Sequence, residues 1–410
     1  MLFAAVLGRK LRKRGGMSDL IPYGLFELSF WGYAAVVFAT IQVMFLGVTL
    51  YLHRDQAHGG LRLHPLMRHF FRFWLWFTSG AVTREWVAVH RRHHACSDVP
   101  GDPHSPAIFG LKRVVFEGYE LYIAAARDPW ILDNYGRGTP DDWLERHVYS
   151  RHPNLGIVLF SACMLVLFGV PAIAMVAIQL AAQPFFAGGV VNGLGHAIGY
   201  RSYEMPSTAT NLAPWGLLLG GEELHNNHHA FPRSARFAVQ PWELDIGWLC
   251  ICVLRVLGLA RVRWVAPRVR RASRSRELNA ETVQALFTYR MHVLRDYARR
   301  VVLPVCKQLA REEPRGALPP TAAKLLVSHP ALLAEETRHA LGDLLARYEV
   351  LRHVVEFRES LQQMWNDSAS AHSAAQLRDW CRRAEESGIR SLREFAHSLP
   401  SYSLKPARAS

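Results

Sequence analysis

The sequence predicts an all-α integral membrane protein with about three transmembrane helices, surface amphipathic helices and a cytoplasmic helical C-terminal region. Half of the 410 residues are hydrophobic, and the long apolar runs all lie before about residue 260. Beyond about residue 273, apolar residues are spaced as on amphipathic helices, among many Arg and Glu. We therefore expect an N-terminal segment 1–24, a membrane domain 25–265 and a soluble helical region 273–410.

The membrane helices are predicted from two apolar spans. Leu25–Leu52 is long enough to cross a bilayer once. Leu155–Val191 has 37 residues without a charge, which is too long for one helix and fits two, with Gly169-Val170-Pro171 as the turn. Two shorter apolar stretches that each contain an Arg are predicted to lie on the membrane surface: Phe70–Val82 and Leu244–Ala260.

Histidines recur at the spacing of metal ligands. The pentad His90–His94 has imidazoles at positions i, i+3 and i+4, on one face of a helix and close enough to share a metal. The same pattern returns at His225–His229. With 20 His in 410 residues, composition alone would give about 0.05 such pentads per chain, so two are not an accident. His53, His58 and the stretch Asn192–His196 extend the pattern.

Nine imidazoles are too many for one ion and suit two, since a zinc ion takes four ligands, or three and a water. Nitrogen ligands argue against calcium and magnesium and leave iron, copper, zinc or nickel. Asn192 lies one helical turn before His196 and could hold a water on one ion. The nine candidate ligands are His53, His58, His90, His93, His94, His196, His225, His228 and His229.

The sequence also predicts how other residues near these clusters contribute to the site. His53 and His58 are five residues apart, about 140° around an α-helix, so they either reach different ions or lie where the helix ends. His104 has no partner at ligand spacing and is predicted not to be a ligand. Five flanking carboxylates are predicted to accept hydrogen bonds from imidazole N–H groups: Glu85, Asp98, Asp102, Glu222 and Glu223.

The distribution of charge predicts the orientation in the membrane. Seven Arg lie within Arg261–Arg276, which suits either a nucleic acid or the cytoplasmic side of a membrane, and the apolar stretch before them favours the membrane. Three crossings then place every histidine cluster on the cytoplasmic side and the N-terminus outside. Five basic residues within 9–14 would lie on the wrong side, so we expect the chain to start at Met17, which lowers the net charge from +14 to +9 (14 − 5).

The histidine segments resemble the membrane fatty acid desaturases, most closely the bacterial-like members of the acyl-CoA Δ9 (stearoyl-CoA type) branch. The likeness covers roughly residues 30–260 and rests on an H-x4-H box at His53–His58, H-x2-H-H boxes at His90–His94 and His225–His229, and Asn192–His196. In that family nine His bind two irons and the Asn contacts one iron through water. The resemblance carries these roles to the nine histidines and to Asn192.

The resemblance implies an oxidoreductase with a di-iron cofactor and O₂ as co-substrate, which introduces a cis double bond at Δ9 of a saturated acyl-CoA. It also implies an integral protein of the bacterial cytoplasmic membrane with its active site on the cytoplasmic face. The chain contains no H-P-G-G haem motif. Electrons are therefore expected from a separate protein, of ferredoxin or rubredoxin type or a cytochrome b5 with an NAD(P)H reductase.

Several alternatives stay open. The substrate could be a phospholipid acyl chain, or the enzyme could be a di-iron hydroxylase or ketolase of the same superfamily. A zinc hydrolase is disfavoured by the excess of ligands. A membrane-anchored nucleic-acid-binding protein would use the Arg cluster, but no nucleic-acid partner is expected. The tail around Tyr348–Tyr402 weakly resembles the C-termini of insertion-sequence transposases, without an acidic triad that would imply catalysis.

Overall fold

The structure, a computed structural model, describes residues 24–272, 278–312, 318–328, 332–366 and 372–404. These residues are predominantly helical and form two compact units. The membrane unit consists of the described residues within 1–200 and 209–266, and the tail unit of those within 201–208 and 267–410. The expected start at Met17, and Arg274 and Arg276 of the Arg cluster, lie outside the described residues.

The membrane unit is built of helices joined by short irregular segments. Its α-helices are α1 Phe30–Leu46, α2 Pro65–Ser79, α3 Thr83–Ala95, α4 Pro106–Phe109, α5 Leu111–Ala126, α6 Pro129–Tyr135, α7 Pro153–Phe168, α8 Pro171–Gln183, α9 His225–Ala230 and α10 Ile246–Val256. Three π-helices and one 3₁₀-helix accompany them: Gly47–Ala57, Glu145–Tyr149, Pro184–Gly193 and Leu194–His196. The strands are β1 Leu61–Leu63, β2 Trp215–Gly216, β3 Leu244–Asp245 and β4 Ala260–Val262.

Two helices of the described chain are long and apolar enough to cross a membrane. They are Phe30–Ala57, which joins α1 to a π-helix, and Pro171–His196, which joins α8 to a π-helix and a 3₁₀-turn. The predicted break between two apolar helices is present, since α7 ends at Phe168 and α8 begins at Pro171. The third apolar helix of the prediction, α7, has only 16 residues.

Helices are present, with shifted bounds, at the two stretches that were predicted to lie on the membrane surface. The first, α2, begins at Pro65 because His64 caps it and proline suits the first turn. It buries Phe71 and Leu75 and exposes Phe73. The second, α10, begins after Asp245, whose carboxylate accepts a hydrogen bond from the Trp248 amide at 2.9 Å.

Close contacts join the apolar helices. Thr40 on α1 donates from Oγ1 to Oε1 of Gln179 on α8 at 2.9 Å. The Trp76 indole N–H on α2 donates to the His152 carbonyl, which precedes α7, at 3.0 Å. Gly156 allows this approach, because a Cβ there would lie 2.2 Å from the Trp76 carbonyl oxygen. Two small sheets, with β1 antiparallel to β4 and β2 parallel to β3, complete the unit.

Arg54 ties the first spanning helix to the polar segment that follows the second. Its side chain is 1% exposed and pairs with Asp245 at 3.0 Å. It also donates to the carbonyls of Gly220 and Ala235, at 3.1 and 3.2 Å. The guanidinium carbon lies 3.8 Å from the centre of the Phe237 ring. This one cation therefore organises the chain on both sides of the second histidine pentad.

The tail unit has its own apolar core. Its α-helices are α11 Ala280–Thr288, α12 Arg290–Tyr297, α13 Leu303–Glu312, α14 Ala322–Val327, α15 Glu335–Arg347, α16 Glu349–Asn366, α17 His372–Glu386 and α18 Arg390–Ser398, with a π-helix Ala298–Val302 and a 3₁₀-helix Leu399–Ser401. The predicted apolar spacing is confirmed at Leu286, Leu351 and Leu361, each at most 1% exposed. Phe287, by contrast, is 37% exposed.

Replacement of Arg54 tests its contribution to the stability of the fold. Arg54→Ala leaves the buried Asp245 carboxylate without its cation, and we expect a loss of about 3–5 kcal/mol in unfolding free energy. The measurement is the unfolding midpoint of the detergent-solubilised protein. The matched control is Arg84→Ala, which removes an exposed pair with Asp133 and should cost about 0–1 kcal/mol. Equal midpoints for the two variants would contradict this account.

Candidate metal centre

The nine predicted histidines converge into two groups in the membrane unit. Within each group the ligand nitrogens all lie within 4.8 Å of one another. Group A is His53, His58, His90, His94 and His228, and group B is His93, His196, His225 and His229. The structure thus brings together side chains from four distant parts of the chain.

The two pentads divide between the groups in the same way. In each, the first and last histidines share a group and the middle one joins the other: His90 and His94 belong to group A, whereas His93 belongs to group B. The expectation that all three would share one metal is therefore wrong. At 100° per residue, positions i and i+4 are about 40° apart around a helix, but neighbours such as His228 and His229 diverge by about 100°.

His53 and His58 both belong to group A, and the reason is a π-helix. The predicted 140° separation assumed an α-helix, but Gly47–Ala57 is π-helical and the His58 amide donates to the His53 carbonyl at 3.1 Å. A π-helix pairs residue i with i+5, so residues five apart lie one above the other. The alternative that these two histidines reach different ions is wrong, and His58 does lie where the helix ends.

The spacing of the nitrogens fits metal coordination. In group A the Nε2 atoms of three pairs, His53–His228, His58–His90 and His94–His228, are 2.8–2.9 Å apart. In group B the corresponding distances are 3.0–3.3 Å. Two nitrogens about 2.1 Å from one ion and about 90° apart would be about 3.0 Å apart. The donor set of each group therefore has the size that a transition-metal ion requires.

Carboxylates fix the orientation of three histidines. Nδ1 of His53 lies 2.8 Å from Glu222, Nδ1 of His93 lies 2.9 Å from Asp102, and Nδ1 of His196 lies 3.1 Å from Asp98. A carboxylate that accepts the Nδ1 proton leaves the Nε2 lone pair for a metal. The prediction is confirmed for these three acids, and wrong for Glu223, which accepts backbone N–H groups instead, including that of Leu219 at 2.9 Å.

The site holds its ligands in the form that binds metal. Burial, followed by the neighbouring charged groups, lowers the pKa well below its usual value in His58, His90, His94, His225, His228 and His229. These imidazoles are neutral, as a metal ligand must be. Burial acts to raise the pKa of Asp102, but contact with His93 outweighs it and lowers that pKa, so the carboxylate is charged. His53 lowers the pKa of Glu222 in the same way.

An apolar cavity of about 60 Å³ touches both groups. Its wall includes His53 and His90 of group A and His225 of group B. Asn192, the predicted holder of a water, lies in the π-helix Pro184–Gly193 and also lines this cavity. The remaining wall is mostly apolar and includes Phe45, Val48, Trp86, Val89, Phe186, Ala187, Val191 and Leu219.

Two further residues belong to the site although no ligand spacing pointed to them. Trp86 stacks on His90, with ring centroids 4.8 Å apart and 13° between the planes. Its position four residues earlier on the same helix is a usable sequence pattern. His104 stacks on His93 with centroids 4.7 Å apart, and burial lowers its pKa to about 3. Nothing in its spacing predicts this, because it lies in a loop.

The family model for fatty acid desaturases matches residues 29–245, more than half of the chain. The chain belongs to the fatty acid desaturase family. All nine histidines of the two groups lie within the matched residues. Membership of the family makes iron the metal to test in groups A and B, since this family is known to use two irons.

Named desaturases support this membership. The chain is 31% identical over 220 residues to the acyl-CoA 5-desaturase AL21 of Anemone leveillei, covering 52% of this chain and 66% of that protein. It is 30% identical over 235 residues to the sn-1 stearoyl-lipid 9-desaturase of Synechocystis, covering 56% and 71%. Delta-9 acyl-lipid desaturase 1 of Arabidopsis thaliana is 27% identical over 234 residues, covering 56% and 74%. The chain thus spans about two thirds of the length of the first relative.

The tail unit matches a different family. A transposase family model matches residues 285–405, which lie beyond the desaturase match. The likeness predicted for Tyr348–Tyr402 is therefore found, over a longer stretch. The nine candidate ligands all lie before this region.

Replacement of Asp102 tests metal binding by group B. Asp102→Asn keeps the shape of the side chain but removes the charge that holds His93, and we expect the affinity for one of two Fe(II) ions to fall about 10–100-fold. Fe(II) titration against a chelator measures this. Asp133→Asn is the control, because its side chain is 73% exposed and faces Arg84. Unchanged affinity at both ions would show that this desaturase does not depend on the Asp102–His93 pair.

Proposed function

We propose that the chain is an oxygen-dependent desaturase that introduces a cis double bond at Δ9 of a saturated fatty acyl-CoA. The observation that carries this proposal is the apolar cavity that reaches both histidine groups. Oxidation of an unactivated methylene requires a redox metal with an open position and a site from which water is excluded. A largely apolar cavity beside two nitrogen-rich groups of candidate metal ligands suits both requirements.

The histidines of the two groups would hold two irons, which supply the oxidising chemistry by activating O₂ with two electrons. The protein would supply the positions of the ligands and a largely apolar surrounding. Glu222, Asp102 and Asp98 fix three imidazoles, and Trp86 covers the face of His90. An acyl chain in the cavity would lie between His90 of group A and His225 of group B. Two adjacent methylenes would then face the metal pair.

The surroundings proposed for this reaction follow from the chain's apolar surface and charge. The two helices long enough to span a membrane and the exposed apolar side chains of α7, such as Val158 and Leu159, support a position of the membrane unit in a bilayer. The Arg-rich stretch Arg261–Arg276, which begins at the end of this unit, favours the cytoplasmic face of a bacterial membrane for the metal centre. Electrons would reach it from a separate protein, of ferredoxin or rubredoxin type or cytochrome b5.

A phospholipid acyl chain is the second candidate substrate. The relatives named acyl-lipid or stearoyl-lipid 9-desaturases, from Arabidopsis and Synechocystis, are 27% and 30% identical to this chain, against 31% for the acyl-CoA relative. Both substrates present the same methylenes to the cavity and differ only in the group attached to the carboxyl. The experiment that tests the reaction therefore compares the CoA-linked and the phospholipid-linked acyl chain.

The reaction is tested in membranes that contain the protein, a ferredoxin reducing system and O₂. One arm receives isotope-labelled stearoyl-CoA and another the same chain within phosphatidylglycerol. We expect a product two hydrogens lighter, with its double bond at C9, in the CoA arm. Product in the lipid arm alone would show that the substrate is the phospholipid acyl chain. A product with added oxygen would show that the enzyme is a hydroxylase or ketolase and not a desaturase. His94→Ala should insert normally but lose iron and product.

The cavity is tested by filling it. Val191 lines the cavity and is 8% exposed, so Val191→Phe places a ring where the acyl chain would lie. Because the ring would obstruct the acyl chain, we expect product per bound iron to fall roughly tenfold or more, which corresponds to about 1.4 kcal/mol or more of activation free energy. Val158→Phe is the matched control, since Val158 is 60% exposed on α7. Iron content should not change in either variant, and full turnover by Val191→Phe would exclude this cavity as the acyl site.

A further inference from the structure

His104 is a buried side chain that the ligand sets leave unexplained. It is 6% exposed and stacks on His93, with 28° between the ring planes. Its backbone N–H donates to Oδ1 of Asp102 at 3.1 Å, and the same carboxylate accepts from His93. The loop therefore holds His104 firmly against group B.

Within the part of the chain that the structure describes, the Nε2 end of this imidazole has no partner. Nε2 of His104 is buried and makes no hydrogen bond to any residue that the structure describes. A buried polar atom without a partner is costly, and such atoms in folded proteins usually meet a water or a ligand. His104 lines the apolar cavity together with Asn192 and His225. A non-protein partner would therefore lie in that cavity, next to group B.

His104 is unsuited to be a further metal ligand. It does not belong to group A or group B, and among the described residues its one candidate metal set is His93, Asp102 and His104 itself. Two members of that set are already engaged, since His93 pairs with Asp102 through Nδ1 and faces His229 with Nε2. The imidazole of His104 is placed beside a coordination sphere and not within one.

We propose that His104 is a positioning residue whose Nε2 hydrogen-bonds an oxygen ligand of group B, a water molecule in the resting protein. Group B offers four imidazoles and group A five, so group B has more room for a ligand that is not a side chain. Asn192 and His104 are polar groups of the cavity wall that lie outside both groups, and they could hold one ligand between them. This inference rests on the proposed function, because it requires iron in both groups.

Azide binding to the iron-loaded protein tests the proposal, since azide replaces water at iron and accepts hydrogen bonds. In His104→Phe the stacked ring is kept but the hydrogen bond is lost, so we expect azide to bind about tenfold more weakly. His104→Gln restores a donor and should recover most of the affinity. Optical titration measures both constants, and iron content should equal that of the unmodified protein. The control is His147→Phe, at an exposed histidine that stacks on Trp143.

Two results would overturn the proposal. Equal azide affinity in His104→Phe and the unmodified protein would show that Nε2 meets no ligand of the iron. Loss of iron from both the Phe and the Gln variants would show that His104 supports coordination directly. The proposed function fails separately, when the unmodified, iron-loaded protein produces no double bond from either substrate.

Discussion

The metal centre depends on an exchange of one histidine between the two pentads. His93 lies in group B, although His90 and His94 lie in group A, and His228 lies in group A, although the other two histidines of its pentad lie in group B. Each group therefore contains side chains of both α3 and α9, which are more than 130 residues apart in the chain. Neither group is complete until both helices are in place. The helices between them, from α5 to α8, bring the pentads together, so the membrane fold and the metal centre form as one structure.

Buried charge supports this exchange. Asp98, Asp102 and Glu222 would be costly in an apolar interior, but each accepts a hydrogen bond from an imidazole that a metal would polarise further. Beside the second pentad, the buried guanidinium of Arg54 pairs with the buried carboxylate of Asp245, so that neither charge is left without a partner. A buried ion pair contributes little net stability, and its value here is the fixed geometry of the segments that it joins.

The sequence predicts the composition of this site better than its geometry. Nine histidines, three of the five carboxylates and the break before Pro171 follow from spacing and hydropathy, because ligand identity and apolar runs are local properties. The division of the pentads between groups follows equally from 100° per residue, once two metals are assumed. The position of His104 does not, because a loop has no periodicity, and its burial arises from contacts made only after α3 and the 192–196 segment have met.

The π-helices were the least predictable feature, and they explain how the spanning helices reach the metals. Each spanning helix begins as an α-helix and becomes π-helical toward the site, at Gly47–Ala57 and at Pro184–Gly193. A π-helix pairs residue i with i+5, and such segments occur frequently at functional sites. Here the wider turn brings His53 and His58 onto one face and carries Asn192 to the cavity wall. The wider turn thus occurs where the ligands lie, and in the first spanning helix it is also the buried part, since every residue of Gly47–Ala57 is buried.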